Sequence, residues 1–142
     1  MEPSLSVVRR VAQSMATDII NLVYSLTDAE LDCLPFGLIY LDCTGMVLRY
    51  NATESKLSGR KPADVIGKLF FTEVASCTTV PEFAGRFFDK VHRELLDEHF
   101  SFVFPFHPPR TVRIHMLSGP TLTAWLFITE IFSDETAGEL EK

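Results

Sequence analysis

No apolar run in this chain approaches the roughly 20 residues that a helical membrane span needs, and no cluster of lysines and arginines occurs anywhere in it. The first absence argues against a membrane protein. The second, with a formal net charge of −6, argues against a nucleic-acid partner, because neutralising phosphates takes a basic stripe. Cysteine is scarce as well: Cys33, Cys43 and Cys77 fall at irregular spacing, which makes neither a disulfide framework nor a metal-ligand pattern. His92, His99, His107 and His115 are read as too scattered for a metal site, with His115 a packed or hydrogen-bonded strand residue. Glu2-Pro3-Ser4 is not the basic start of a secretory signal. An acidic cytoplasmic protein with reduced thiols is the expectation. Internal repeats and low-complexity tracts are missing too.

What is present is enough apolar material for one sizeable core: 46% of 142 residues, which predicts a single domain. Val8, Val11, Met15, Ile19, Leu22, Val23 and Leu26 recur at steps of three and four, so residues 1–26 read as an amphipathic N-terminal helix, a cap or a dimer helix. Thr27 and Glu30 have capping-box spacing, predicting a short helix that Pro35 stops. Residues 36–42, the turn Cys43-Thr44-Gly45 and residues 46–51 read as a hairpin. Short helical pieces follow, with Pro62 at a helix start and Gly67 at an end. Pro81 opens a longer helix in which Phe83, Phe87, Val91 and Leu95 share the apolar face. Strands are predicted over 100–106, 112–116 and 125–131. The outward members of the Phe100–Phe106 alternation offer a partner surface, for instance to the N-terminal helix. Two antiparallel groups of strands around a helical middle make the class α+β. The last ten residues, 133–142, read as a polar tail or as the start of a linker into an output module.

Within this frame Cys77 is the candidate reactive centre, in a loop just ahead of a helix start. A helix N-terminus favours a thiolate, so its pKa is expected below the ordinary value of about 8.5. The competing reading is a small buried hydrophobe.

The element order resembles the PAS sensor fold, and the motifs resemble one branch of it, the photoactive yellow protein family, over about residues 27 to 131. The carrying residues are Leu34-Pro35-Phe36-Gly37, Tyr50-Asn51-Ala52-Thr53-Glu54, Leu57-Ser58-Gly59-Arg60, Val65-Ile66-Gly67-Lys68, Val74-Ala75-Ser76-Cys77-Thr78, Pro81-Glu82-Phe83, Val112-Arg113-Ile114-His115-Met116 and Trp125. The resemblance implies an antiparallel five-stranded sheet with helices on one side and an N-terminal cap. It implies p-coumaric acid (4-hydroxycinnamic acid) held as a thioester on Cys77, and a light-driven photocycle rather than enzymatic turnover. Tyr50 and Glu54 would bond the phenolate oxygen, Ser58 would fix Tyr50, and Arg60 would close the pocket. Ile39, Phe70, Val74, Ala75, Phe104 and Phe106 are the candidate walls.

Physical chemistry supports this division of labour. A buried phenolate needs donors, and Glu54 can donate only when protonated, which an apolar pocket with no cation beside it would ensure. Transfer of that proton would leave a buried, unpaired carboxylate and drive a local opening of the cap. The signalling partner is a separate protein or a fused output domain.

Departures from the family pattern are Ser76 for a frequent Pro, Leu69 for an Asn, Phe106 for a Tyr, and a 106–110 loop one residue shorter and lacking a Met. The last predicts slow dark recovery. Rival readings are a PAS sensor or interaction module without the chromophore, binding another small ligand or a partner protein, and a thiol enzyme, for which no His lies near Cys77 in sequence.

Overall fold

The computed structural model describes residues 22–131 apart from His107. The predicted N-terminal helix and polar tail therefore lie outside the described residues, except for 22–26, of which 22–25 are helical.

Local chemistry accounts for most element boundaries. Thr27 Oγ1 accepts from the Glu30 amide at 3.1 Å while the Thr27 amide donates to Glu30 Oε1 at 2.9 Å; this capping box starts α1 (Asp28–Leu31). In the turn between β1 (Gly37–Leu41) and β2 (Val47–Tyr50), Asp42 Oδ1 accepts from the Thr44 and Met46 amides at 2.9 and 3.0 Å. Gly45 supplies the left-handed step there, with φ 90°. Helix α2 (Ala52–Ser58) is capped by Asn51 and ends at Gly59, φ 79°; α3 (Pro62–Val65) begins on its proline.

A π-turn (Phe70–Val74), a 3₁₀ turn (Ser76–Thr78) and a second π-turn (Pro81–Gly85) then run into α4 (Arg86–Lys90). Phe83, Phe87 and Val91 are fully buried as their spacing predicts, but Leu95 is 60% exposed. Glu94 takes φ 55°, which breaks the helical frame and turns Leu96 inward instead.

Three long strands complete the chain: β3 (Asp97–Phe104), β4 (Arg110–Gly119) and β5 (Thr123–Glu130). The sheet order is β2-β1-β5-β4-β3, antiparallel throughout, so the expected α+β architecture with a five-stranded antiparallel sheet is the one observed; α3 and α4 pack on one side, while α1 and residues 22–25 pack on the other. On the side of α3 and α4, Phe71, Phe83 and Phe87 pack against the sheet. The other face carries Val23, Leu26, Leu31, Leu34, Leu38, Tyr40 and Trp125, with Tyr40 stacked on Trp125 at 4.1 Å.

The β3 phenylalanines belong to the core and not to the outward face of the strand. Phe100 and Phe102 turn inward, their ring centroids 5.1 and 5.2 Å from Phe83, and the outward positions are Ser101 and Val103. The β3–β4 register also sets His99 opposite His115, so these two histidines are neighbours despite their separation in sequence.

Asn51 joins three elements. Its Oδ1 accepts from the Leu38 and Glu54 amides, both at 3.0 Å, and its Nδ2 donates to the Leu31 and Phe36 carbonyls at 2.9 and 3.1 Å. Asn51→Ala leaves these buried groups without partners, so chemical denaturation should show a loss of about 2–4 kcal/mol. A loss no larger than an exposed N-cap substitution, about 1 kcal/mol, would contradict this.

Candidate functional site

The β2–α2 junction, the irregular turns of 70–78 and the loop joining β3 to β4 enclose a cavity of about 310 Å³. That is the lower end of the range for small-molecule sites, about 300–1,000 Å³, and suits a ligand with one aromatic ring. Its lining includes Tyr50, Glu54, Ser58, Arg60, Phe70, Val74, Ala75, Cys77, Phe104 and Phe106. Ile39 is absent from the wall. It is 1% exposed in the main core, paired with Tyr50 across the β1–β2 ladder, and so sits behind the cavity. Phe106, at the mouth, is 41% exposed and stacks on Phe104; Arg60 is also exposed, at the rim.

Tyr50 is buried with its hydroxyl 2.8 Å from Ser58 Oγ, which itself accepts from the Arg60 amide at 3.1 Å. Burial, with the Glu54 charge added, pushes the phenol up to about 12 against the Ser58 bond and the Arg110 and Arg60 charges. The phenol therefore stays protonated and able to donate.

Cys77 lies half-buried in the 3₁₀ turn. Its pKa goes the opposite way to the sequence expectation: burial raises it, with its backbone hydrogen bond and the Arg60 charge opposing. The reason is local. A three-residue turn offers no aligned helix dipole, so desolvation dominates.

Glu54 departs further from expectation, because a cation does stand beside it. Arg110 Nη1 and Nη2 donate to its two carboxylate oxygens at 2.9 and 2.8 Å, and Arg110 Nε donates to Glu130. The guanidinium also lies 5.4 Å from the Phe104 ring centroid. Burial holds the Glu54 carboxyl above its usual range, while the Arg110 bonds and charge pull it down and Glu130 adds to the rise. For Arg110, burial opposes the charge, but Glu54 and then Glu130 outweigh it and raise its pKa. The cation is kept, and it governs how tightly Glu54 can hold a proton.

Arg110 and Glu130 carry no signal in sequence as site residues, since Arg110 is 56 positions from Glu54 and meets it only through sheet topology. Gly37 is a third omission. A Cβ there would lie 2.1 Å from Glu54 Oε1, so glycine is what admits the carboxylate. Gly37→Ala should turn Glu54 out of its Arg110 pair and lower stability by about 1–3 kcal/mol. The same change in a Glu54→Ala background should cost much less; equal costs in denaturant titrations would sink the steric explanation.

No protein-family model matches the chain. It is 43% identical over 116 residues to the photoactive yellow protein of Rhodothalassium salexigens, covering 80% of this chain and 93% of that one. Among solved structures it is similar to the photoactive yellow protein domain of the sensor histidine kinase Ppr from Rhodospirillum centenum, with 46% identity, a TM-score of 0.74, and 78% and 98% of the two chains covered. The PAS domain of Bordetella pertussis BvgS, 17% identical with a TM-score of 0.60 over 80% of this chain and 90% of that one, shares the fold alone.

Proposed function

The chain belongs to the photoactive yellow protein family, and from that premise we propose that it is a blue-light photoreceptor in which Cys77 carries a p-hydroxycinnamoyl group as a thioester. What supports this reading is one cavity of the right size lined together by a cysteine for attachment, a protonated phenol, and a buried carboxyl. The apolar rings of Phe70 and Phe104 would flank an aromatic ligand there. When bound, the group supplies absorption of blue light and a trans-to-cis isomerisation.

The chain's own residues do the rest. Cys77 fixes the ligand's acyl end. Tyr50, held by Ser58, donates its hydroxyl hydrogen to a phenolic oxygen. Glu54 can donate there only while it holds a proton, and Arg110 decides that by engaging or leaving its carboxylate. An ionised Glu54 met by Arg110 is a paired charge, so less of the conformational drive comes from an isolated buried carboxylate than sequence alone suggests. Residues 1–26 would be the cap that responds, with a fused or separate signalling protein reading its state.

The test is reconstitution with activated p-hydroxycinnamic acid, followed by intact mass and visible absorbance. A single yellow adduct that bleaches in blue light and recovers in the dark is expected; a chain that forms no adduct on Cys77 overturns the proposal.

A further inference from the structure

Away from the cavity, at the other end of the β3–β4 ribbon, three ligand-type side chains converge. His99 and His115 face one another across the two strands, their rings stacked with centroids 3.7 Å apart and planes 21° from parallel. Asp97, two residues before His99, shares its face of the sheet. Its Oδ1 lies 2.8 Å from His115 Nε2 and 3.8 Å from His99 Nε2. One ligand atom from each of the three falls within 4.8 Å of the others.

We propose that Asp97, His99 and His115 bind a divalent transition-metal ion of the zinc class on the outer face of the sheet. Ligands about 2.0–2.2 Å from a tetrahedral ion stand about 3.4 Å from one another, so a small rotation of two exposed side chains, Asp97 and His99, brings all three donors into range. Two imidazoles and a carboxylate suit zinc, nickel or copper and not magnesium or calcium, which prefer all-oxygen shells. Water completes the coordination on the exposed side.

The facing groups are few: Phe127 from β5, its ring 6.0 Å from His115, and Arg113, two residues along β4 on the same exposed side. Strand β3 lies at the sheet edge, and the same ribbon carries Phe104 and Arg110 to the cavity. An ion here clips that edge strand to β4 and stabilises the folded chain by mass action.

The experiment is titration of the full chain with zinc chloride by calorimetry, with thermal unfolding alongside, and needs no chromophore. One-to-one uptake in the micromolar range at about pH 7.5 is expected, with a raised unfolding midpoint and no response to magnesium. Uptake should weaken as the pH is lowered, because protons and the metal compete for the same ligand nitrogens. His99→Ala and His115→Gln should each weaken binding roughly tenfold or more, while their metal-free circular dichroism stays unchanged. No uptake up to millimolar zinc, or uptake that both variants retain and Cys33→Ser or Cys77→Ser abolishes, overturns the proposal.

Discussion

Cys77→Ala will leave a colourless chain that takes up no mass from activated p-hydroxycinnamic acid, because Cys77 is the one cysteine lining the cavity. Cys33 is exposed and Cys43 is half-buried elsewhere, so neither holds an acyl group against Tyr50 and Glu54. The loading rate carries a second signature. The nucleophile is the thiolate, and burial places the Cys77 pKa above its ordinary value. Below that value each pH unit raises the thiolate fraction about tenfold, whereas a free thiol with pKa about 8.5 levels off above it. Loading of the intact chain should thus keep accelerating to a higher pH than loading of a free thiol does. Arg60 is the one side chain whose charge favours the thiolate, so Arg60→Gln should slow loading at fixed pH and leave the final yield unchanged. A rate that plateaus near pH 8, or an adduct on the alanine variant, would show that a different thiol environment, or a different residue, performs the attachment.

How far the sequence revealed all this depended on whether the governing interactions are local. The capping box of Thr27 and Glu30, the Asp42 turn and the alternation of β4 lie within a few residues of what they control, and each is legible from spacing alone. Tyr50, Asn51 and Glu54 are likewise set by one strand end and one helical turn. The Glu54–Arg110 pair is not, because β4 reaches the cavity only through the sheet order β2-β1-β5-β4-β3. A loop of prolines ahead of Arg110 gives no sign of where the guanidinium points. Cys77 departs from its sequence expectation for the converse reason: its neighbours in sequence suggest a helix start, while its pKa answers to burial. Leu95 shows how a single left-handed residue, Glu94, shifts an apolar frame by one position. His99 and His115 look isolated along the chain and become partners when β3 pairs with β4.

Replacing Arg110 by glutamine is the substitution expected to disturb the cavity most without removing the attachment point. Arg110 and Glu54 side chains are 8% and 3% exposed, and breaking a buried pair by deleting one partner costs about 3–5 kcal/mol. That cost should depend on pH in a definite direction. A carboxyl whose folded pKa lies above its unfolded value, about 4.3, stabilises the fold most below the unfolded value and loses that contribution as pH rises through the folded one. Glu54 is such a group. The Glu130 charge facing it also disfavours its ionisation, and Arg60 is a cation at the rim. With Arg110 gone its pKa rises further and the window of loss extends upward. The variant should therefore fall well short of the parent chain at a pH above the folded Glu54 pKa and approach it as the pH falls toward the unfolded carboxyl value, about 4.3. Glu54→Gln in the same background, which removes the charge altogether, should restore much of the lost stability and flatten the profile. After loading, Arg110→Gln should also make Glu54 a better-retained proton donor, seen as a carboxylic-acid infrared band that persists to higher pH. Equal losses at both pH values, or no rescue by Glu54→Gln, would mean that Arg110 supports the fold through Glu130 and Phe104 and does not govern the Glu54 proton.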